Sequence, residues 1–357
     1  MTTGHNSSGG PAGQGPATAP RVSIIAATYN EGRYIEQFAA CMAAQDFPSQ
    51  DFEVLIVDGG SRDNTRALAE EIVRRDPRFR LVDNPDRFQP QARNVGVRHA
   101  RGEIIIVADV HASYPPDFVR ASVEGLERSG AWCVGPILAT EPGAATRTAR
   151  AIAIVQSHPF GVGNSQARVG KEARAVDSLA FPCLRKAVFE KVGLFHELLP
   201  RHEDTELFGR IRRAGGVLMV MPSIRATYFA RPAVMPLLRQ AWANGYETAI
   251  AKVADPASTS LRHWVPGLFV GSLLVFGLGG IVMPVLWCGF ALAAGLYLLA
   301  LAAASLHVGL TRCWSLVPRV AALFVLHHLA YGMGTLAGIG GLLRNYRKIK
   351  DYRHPTL

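Results

Sequence analysis

Between Val22 and Val107 the chain alternates short, wholly apolar runs with segments of helical spacing. Val22–Ala27 (VSIIAA) reads as a strand, the loop Thr28-Tyr29-Asn30-Glu31-Gly32 follows, and residues 34–44 carry apolar side chains at helical intervals. The unit repeats. Phe52–Val57 runs into Asp58-Gly59-Gly60-Ser61, after which Ser61 or Asp63 is placed to cap a helix through Arg74. A third strand at 79–82 precedes a helix over 91–100, and a fourth, Glu103–Val107, delivers Ala108-Asp109-Val110-His111. Strands that are apolar along their whole length and separated by helices predict an α/β fold with a largely parallel sheet buried on both faces. Ligands of such sheets bind at the carboxyl ends of the strands. Asn30, Glu31, Asp58 and Asp109 all fall there, so polar groups remote in sequence are expected on one rim.

Past Phe118 the alternation loosens. Residues 132–135 and 217–220 have strand character, and the loop-rich stretch between them holds His158-Pro159-Phe160-Gly161-Val162-Gly163-Asn164-Ser165. That stretch, with Phe160, Gly161 and Gly163, is assigned to the acceptor side of a site. Glu203-Asp204 opens an amphipathic helix over 205–214. Acidic residues favour a helix N-terminus, so capping explains the pair, and a general base near a substrate hydroxyl explains it equally.

From Val265 the pattern changes to continuous apolar sequence. Residues 265–283 and 285–307 are each long enough to cross a bilayer core, with Pro284 between them. A third segment, 317–343, contains Arg319, His327, His328 and five glycines. Three full spans would put the basic C-terminal run on the side opposite the N-terminal domain, against the positive-inside tendency. A hairpin of two spans is therefore predicted, and the third segment is left as either a span or an interfacial or re-entrant helix. The predicted layout is a disordered Gly/Pro/Ser/Thr-rich leader over 1–20, a domain over 21–260, membrane segments over 261–345 and a basic tail over 346–357.

Charge and cysteine content refine this picture. The net charge is +10, and its densest run, Arg344, Arg347, Lys348, Lys350 and Arg353, directly follows apolar sequence, where anionic lipid headgroups would meet it. Without a nucleic-acid module or aromatic platform, no nucleic-acid partner is expected. Cys41, Cys133, Cys183, Cys288 and Cys313 are scattered, which indicates neither a disulfide framework nor a zinc site and suits a reducing compartment. The first twenty residues lack the apolar core of a cleaved secretory signal.

One aspartate at a strand end is ordinary turn chemistry, but two on neighbouring ends, one in Asp-x-His spacing, point to a ligand or metal. If the strand continues, Asp109 and His111 share one side and reach one divalent ion beside a diphosphate.

Val22-Ser-Ile-Ile-x-x-Thr28-Tyr29-Asn30-Glu31, Val57-Asp58-Gly59-Gly60-Ser61-x-Asp63-x-Thr65, Asn94-x-Gly96-x-x-x-Ala100-x-Gly102 and a strand ending in Asp109 resemble the inverting family 2 glycosyltransferases. Asp109-x-His111-Ala-x-Tyr114-Pro115, the Phe160–Gly163 loop and His328-Leu-Ala-Tyr331-Gly332 are similar to its succinoglycan-biosynthesis ExoA-like subgroup. The resemblance implies the type A glycosyltransferase (nucleotide-diphospho-sugar transferase) fold, with C-terminal transmembrane helices. It implies donor contacts from Thr28, Asn30, Glu31, Asp58, Arg93 and Asp109, metal contacts from Asp109 and His111 with Mn2+ or Mg2+, and catalysis by Asp204 with Glu203 beside it. It further implies a UDP-sugar donor, a polyprenyl-diphosphate-linked or other lipid-linked acceptor, and a bacterial-type inner membrane with the catalytic domain cytoplasmic. Two departures stand out: His111 replaces the usual second aspartate of the metal motif, and Arg239-Gln240-Ala241-Trp242 stands where processive synthases carry Gln-x-x-Arg-Trp.

Other classes fit less well. A dinucleotide dehydrogenase needs Gly-x-Gly-x-x-Gly after the first strand, where this chain has Asn30-Glu31-Gly32-Arg33. A sugar nucleotidyltransferase needs a Gly-rich basic phosphate loop at the same place. An inactive nucleotide-sugar-binding scaffold remains the non-enzymatic alternative, with His111 as its lesion.

Overall fold

The computed structural model describes residues 19–163 and 165–357, apart from the side chains of Leu343 and Asn345. The leader expected over 1–20 lies outside the described residues up to position 18. The first half is the alternating pattern made solid: β1 (Val22–Thr28), α1 (Ile35–Ala43), β2 (Phe52–Asp58), α2 (Thr65–Arg75), β3 (Phe79–Asp83), α3 (Gln89–His99) and β4 (Ile104–Asp109). β1 pairs in parallel with β2 on one side and β4 on the other. Successive side chains of these strands point to opposite faces, which is why every position of β2 is buried. Ile24, Val54 and Ile106 pack against Phe38 and Met42 of α1 and Ile72 of α2. Ile25, Leu55 and Ile105 face the other way, in one cluster with Val97 of α3.

The second half adds β5 (Ala112–Ser113), α4 (Phe118–Ser129), β6 (Cys133–Pro142), α5 (Arg147–Val155), α6 (Pro159–Val162), α7 (Gln166–Val169), β7 (Arg174–Ala175) and β8 (Cys183–Arg185). It closes with α8 (Ala187–Val192), α9 (Glu203–Arg213) and β9 (Leu218–Ala230). The sheet runs β3-β2-β1-β4-β8-β6-β9-β5, with β7 pairing off β9. β8 is antiparallel to β4 and β6, so the sheet is mixed beyond the parallel half. The strands read at 132–135 and 217–220 are the starts of much longer ones: β6 and β9 pair in parallel past a register shift at Pro136/Ile137. Their outer halves carry exposed polar residues that hide the strand pattern in sequence.

Four helices follow: α10 (Val234–Ala254), α11 (Leu261–Val282), α12 (Leu286–Thr311) and α13 (Val317–Lys350). α10 has no counterpart in the sequence reading, because its apolar and polar positions are mixed around the helix rather than set in a stripe. Segments 261–282, 286–311 and 314–342 are long and apolar enough to cross a membrane. α11 and α12 expose large apolar side chains, among them Leu278, Ile281, Val282, Leu298 and Leu299. Helix α13 is different, packing on α10 and α5 as well as on the other two apolar helices over much of its length. Val320, Leu323 and Phe324 near its start join Ile152 and Val155 of α5 and Val308 of α12 in one apolar cluster. Its middle lies backbone to backbone on α10, where a Cβ on Gly245 would come 2.0 Å from the Tyr331 carbonyl oxygen and one on Gly334 2.2 Å from that of Trp242.

The C-terminal residues do not trail into solvent. The helix runs on to Lys350, and beyond it the Leu194 N–H donates to the Pro355 carbonyl at 2.9 Å and the Glu197 N–H to the Tyr352 hydroxyl at 3.2 Å. The Tyr352 ring stacks on His196 with centroids 4.0 Å apart. The basic side chains expected at lipid headgroups, Arg344, Arg347, Lys348, Lys350 and Arg353, remain exposed.

Candidate active site

The β1–α1 and β2–α2 loops are tied into one rim. Asn30 holds the left-handed conformation (φ 55°), which an asparagine tolerates; its N–H donates to Ser61 Oγ at 2.9 Å and its Oδ1 accepts from the Arg62 N–H at 2.8 Å. The Glu31 N–H donates to Thr65 Oγ1 at 2.8 Å. Asn64, not Ser61 or Asp63, occupies the N-cap of α2 and makes no side-chain cap bond; Asp63 Oδ1 instead accepts from the Thr65 N–H at 3.0 Å. Thr28 and Asp58 are directly opposite in the β1–β2 register, and Asp58 is buried, taking a 2.6 Å hydrogen bond from the Ser61 hydroxyl with Arg66 3.5 Å away. Thr28 is buried too and donates to the Ala26 carbonyl.

Asp109 ends β4 on the opposite side of β1, across from Ala27. The Tyr114 hydroxyl clasps its backbone, accepting from the Asp109 N–H at 2.8 Å and donating to the Asp109 carbonyl at 3.0 Å. Among the described residues no hydrogen bond reaches the Asp109 carboxylate, whose nearest ionic partner is Arg93 at 3.9 Å. Arg93, buried on α3, pairs tightly with Glu203 at the start of α9. One guanidinium thus joins a strand end to a helix start more than ninety positions away in the chain. Glu203 is buried and locked by this pair, while Asp204 is half-buried and lines a cavity of about 200 Å³ together with Arg93, Asp109 and Arg168. Asp204 Oδ1 accepts from the Thr205 N–H at 2.7 Å, and among the described residues its other oxygen accepts no hydrogen bond. Burial raises both carboxyls above the ordinary carboxylate range; Arg93 opposes this for each, and His202 also opposes it for Asp204.

The strand does not continue through His111. β4 stops at Asp109 and His111 lies in a turn, so the shared-side argument from strand periodicity fails and the loop decides the ring's direction. His111 Nδ1 is 3.3 Å from Glu31 Oε1, and the ring stands between Tyr34 and Tyr228. Burial opposes charge on this ring, yet the Glu31 hydrogen bond and the nearby Asp109 outweigh it and raise the imidazole above its usual range. Among the described residues no group of three or more His, Cys, Asp or Glu side chains is gathered for a metal ion. The open Asp109 carboxylate and the free His111 Nε2 fit a divalent ion that takes most of its ligands from a bound diphosphate and water.

A second cavity of about 400 Å³ adjoins the first and shares Ser165, Arg168 and Ser178 with it. Phe160, Gly161 and Gly163 line it, and α11, α12 and α13 close it with Phe269, Tyr297 and His328. His327 and His328 of the third apolar segment line it as well. His328 Nε2 donates to the Phe160 carbonyl at 2.9 Å while its Nδ1 accepts from the Tyr297 hydroxyl at 3.0 Å. His202, the N-cap residue just before Glu203-Asp204, lines the large cavity while Asp204 lines the small one, so the start of α9 stands between them. Arg168 and Arg262 were not singled out from sequence. Each is a lone basic residue whose partners come from other segments, such as Asp177 for Arg262 at 2.7 Å.

Residues 23–193 match the model of glycosyl transferase family 2. That stretch is a family 2 glycosyltransferase domain. Over 282 residues the enzyme is 28% identical to the succinoglycan biosynthesis protein ExoA of Rhizobium meliloti (strain 1021), covering 77% of this chain and 84% of that protein. It is 26% identical over 232 residues to a dolichyl N-acetyl-alpha-D-glucosaminyl phosphate 3-beta-D-2,3-diacetamido-2,3-dideoxy-beta-D-glucuronosyltransferase of Methanococcus voltae, covering 63% of this chain and 71% of that one. Among solved structures it resembles a mannosyltransferase of Pyrobaculum calidifontis in complex with GDP-Man and Mn2+ (TM-score 0.57, 21% identity, 90% of this chain and 88% of that one). It also resembles residues 1–349 of TarS of S. aureus in complex with UDP-GlcNAc (TM-score 0.52, 16% identity, 90% and 92%). At those identities the likeness establishes the type A glycosyltransferase fold.

Proposed function

We propose that this transferase moves a sugar from a nucleotide-diphosphate donor, a UDP-hexose, to a lipid-linked glycan acceptor in exopolysaccharide or envelope polysaccharide synthesis. The observation that carries this reading is the pair of adjoining cavities. The smaller one holds the strand-end and helix-start acids, and the larger one is walled by the apolar C-terminal helices. An acceptor confined to the membrane surface would approach through the second and meet the donor in the first. Relatives whose names specify succinoglycan biosynthesis and transfer onto a dolichyl-linked sugar support the acceptor class.

In this reading Thr28, Asn30, Glu31 and Asp58 form the nucleoside side, with Asp109 and His111 toward the diphosphate. An Mn2+ or Mg2+ ion held there would neutralise charge on the leaving diphosphate. The acceptor hydroxyl oxygen attacks the anomeric carbon from the face opposite the diphosphate. The new C–O bond forms as the bond to the diphosphate oxygen breaks with its electron pair, giving inversion, and the hydroxyl proton passes to Asp204. Arg93 holds Glu203 so that the start of α9 keeps its place beside the donor.

The α11–α12 hairpin is the membrane anchor in this reading, with both ends on the domain side. Helix α13 lies at the interface and the C-terminus stays with the catalytic domain on the cytoplasmic side of a bacterial-type inner membrane. The contacts of α13 with α5 and α10, and of the last residues with Leu194 and Glu197, support that arrangement. Incubating membranes with a panel of radiolabelled nucleotide sugars and extracting the lipid fraction tests the function. Label entering lipid from a UDP-sugar is expected, and label confined to water-soluble products would sink the acceptor assignment.

A further inference from the structure

Arg168 is a half-buried cation. Its guanidinium lies over the Tyr228 ring, 4.5 Å from the centroid, and Nη1 donates to Thr140 Oγ1 at 3.3 Å and the Gln156 carbonyl at 3.5 Å. Among the described residues no carboxylate pairs with it. Burial works against its charge and lowers its pKa, with Tyr228 offering the compensation. The buried arginines of this domain, Arg93 and Arg210, are by contrast paired with Glu203 and Glu206. A guanidinium taken out of water without a counter-charge is costly unless a ligand supplies one.

Its position says which ligand. Arg168 lines both cavities at their junction, with the hydroxyls of Ser165 and Ser178 beside it. Among the described residues the larger cavity is lined by two arginines and four histidines and by no acidic residue, and part of its wall is apolar, with Val265, Phe269 and the Tyr297 ring. An anionic head on an apolar chain matches that sequence of surfaces. The smaller cavity already has Asp109 on the diphosphate side of the donor, which leaves Arg168 on the acceptor's side of the junction.

We infer that Arg168 seats a phosphate group of the acceptor lipid at the junction of the two cavities, with the lipid chain running along Phe269 and Tyr297. This rests on the lipid-linked acceptor proposed above and adds the group that recognises it. A guanidinium fork suits phosphate, and binding the phosphate there fixes how far the acceptor hydroxyl reaches toward Asp204.

The test uses the full chain in detergent and calorimetric binding of farnesyl diphosphate, farnesol, inorganic pyrophosphate and UDP. Wild type is expected to bind farnesyl diphosphate more tightly than farnesol or pyrophosphate. R168Q should lose about 10- to 100-fold of that affinity, the scale of a charge-assisted hydrogen bond, while UDP binding and melting temperature hold. If R168Q melts early, R168K decides. It keeps the charge without the fork, so it should lose about 3- to 10-fold, and no loss would overturn the assignment. Unchanged farnesyl diphosphate binding in R168Q overturns it, and so does a loss of UDP affinity, which would give the cation to the donor. Pyrophosphate binding as well as farnesyl diphosphate would make this a free-anion site and overturn it too. Wild type that binds UDP but neither prenyl compound removes the lipid acceptor itself, a failure distinct from that of Arg168.

Discussion

Replacing Asp204 by asparagine removes the proposed base while changing little of its shape. Glu203 is buried and held by Arg93, so it has no freedom to take a proton from an incoming hydroxyl. Asp204 has one oxygen on the Thr205 N–H, and the other, beside the cavity that holds Asp109, accepts no hydrogen bond among the described residues. An asparagine can keep the 2.7 Å bond from Thr205 through its carbonyl, and Arg93 keeps its tight pair with Glu203 when the Asp204 charge is lost. Loss of a general base costs about 100- to 10,000-fold, equivalent to about 2.7 to 5.5 kcal/mol in the barrier. Turnover should fall by that factor at saturating donor, measured as transfer to lipid or release of UDP, while calorimetric UDP affinity stays near wild type. The acid limb of the wild-type rate profile carries the same group. Burial first, opposed by Arg93 and His202, raises the Asp204 pKa, so the active carboxylate is lost as pH falls at a higher pH than for an exposed aspartate. Glu203→Gln should instead disturb the Arg93 pair and so act on stability and donor binding together. If D204N weakens UDP binding and leaves saturated turnover near normal, Asp204 belongs to the donor site and this mechanism is wrong.

Glu247 sets a pH dependence of stability. Burial, opposed by the Arg201 N–H that donates to its Oε2 at 2.9 Å, pushes its carboxyl from 4.5 up to about 7. The unfolded chain therefore releases this proton first, and stability falls as pH rises between those values, by about 3 kcal/mol in full. E247Q should melt higher than wild type at pH 8 and the same at pH 4; parallel melting curves across that range would contradict it. Deleting residues 352–357 removes the Tyr352–His196 stack and the hydrogen bonds to Leu194 and Glu197, which predicts about 1.5 to 4.5 kcal/mol of lost stability by calorimetry. An unchanged melting temperature would mean that the C-terminal residues do not hold the domain in solution. His111→Asp should move the metal preference from Mn2+ toward Mg2+ in transfer assays, because a carboxylate is the harder ligand, and full activity of wild type in excess chelator would rule out any metal role.

The sequence alone determined what rests on neighbours in the chain. Runs such as VSIIAA and FEVLIV are apolar on both faces, so they can only be strands covered on both sides, and the intervening helices make the pairing parallel. Two strand ends with aspartates follow from that topology, which is why Asp58 and Asp109 were legible. The long apolar segments were equally plain, since membrane length is a local property. What only the tertiary structure decided depends on meetings between remote segments. The turn at His111 points its ring at Glu31, eighty positions away, and no periodicity at Asp109 foretells it. Arg93 finds Glu203 across the fold, and Arg168 is notable only for the carboxylate it lacks. From sequence, segment 317–343 reads as either a span or an interfacial or re-entrant helix, because its apolar length suits both. In the structure the apolar start of α13 covers α5, and its glycines admit the backbone of α10. The same apolar surface satisfies either lipid or protein, so composition cannot choose between them; the packing partner does.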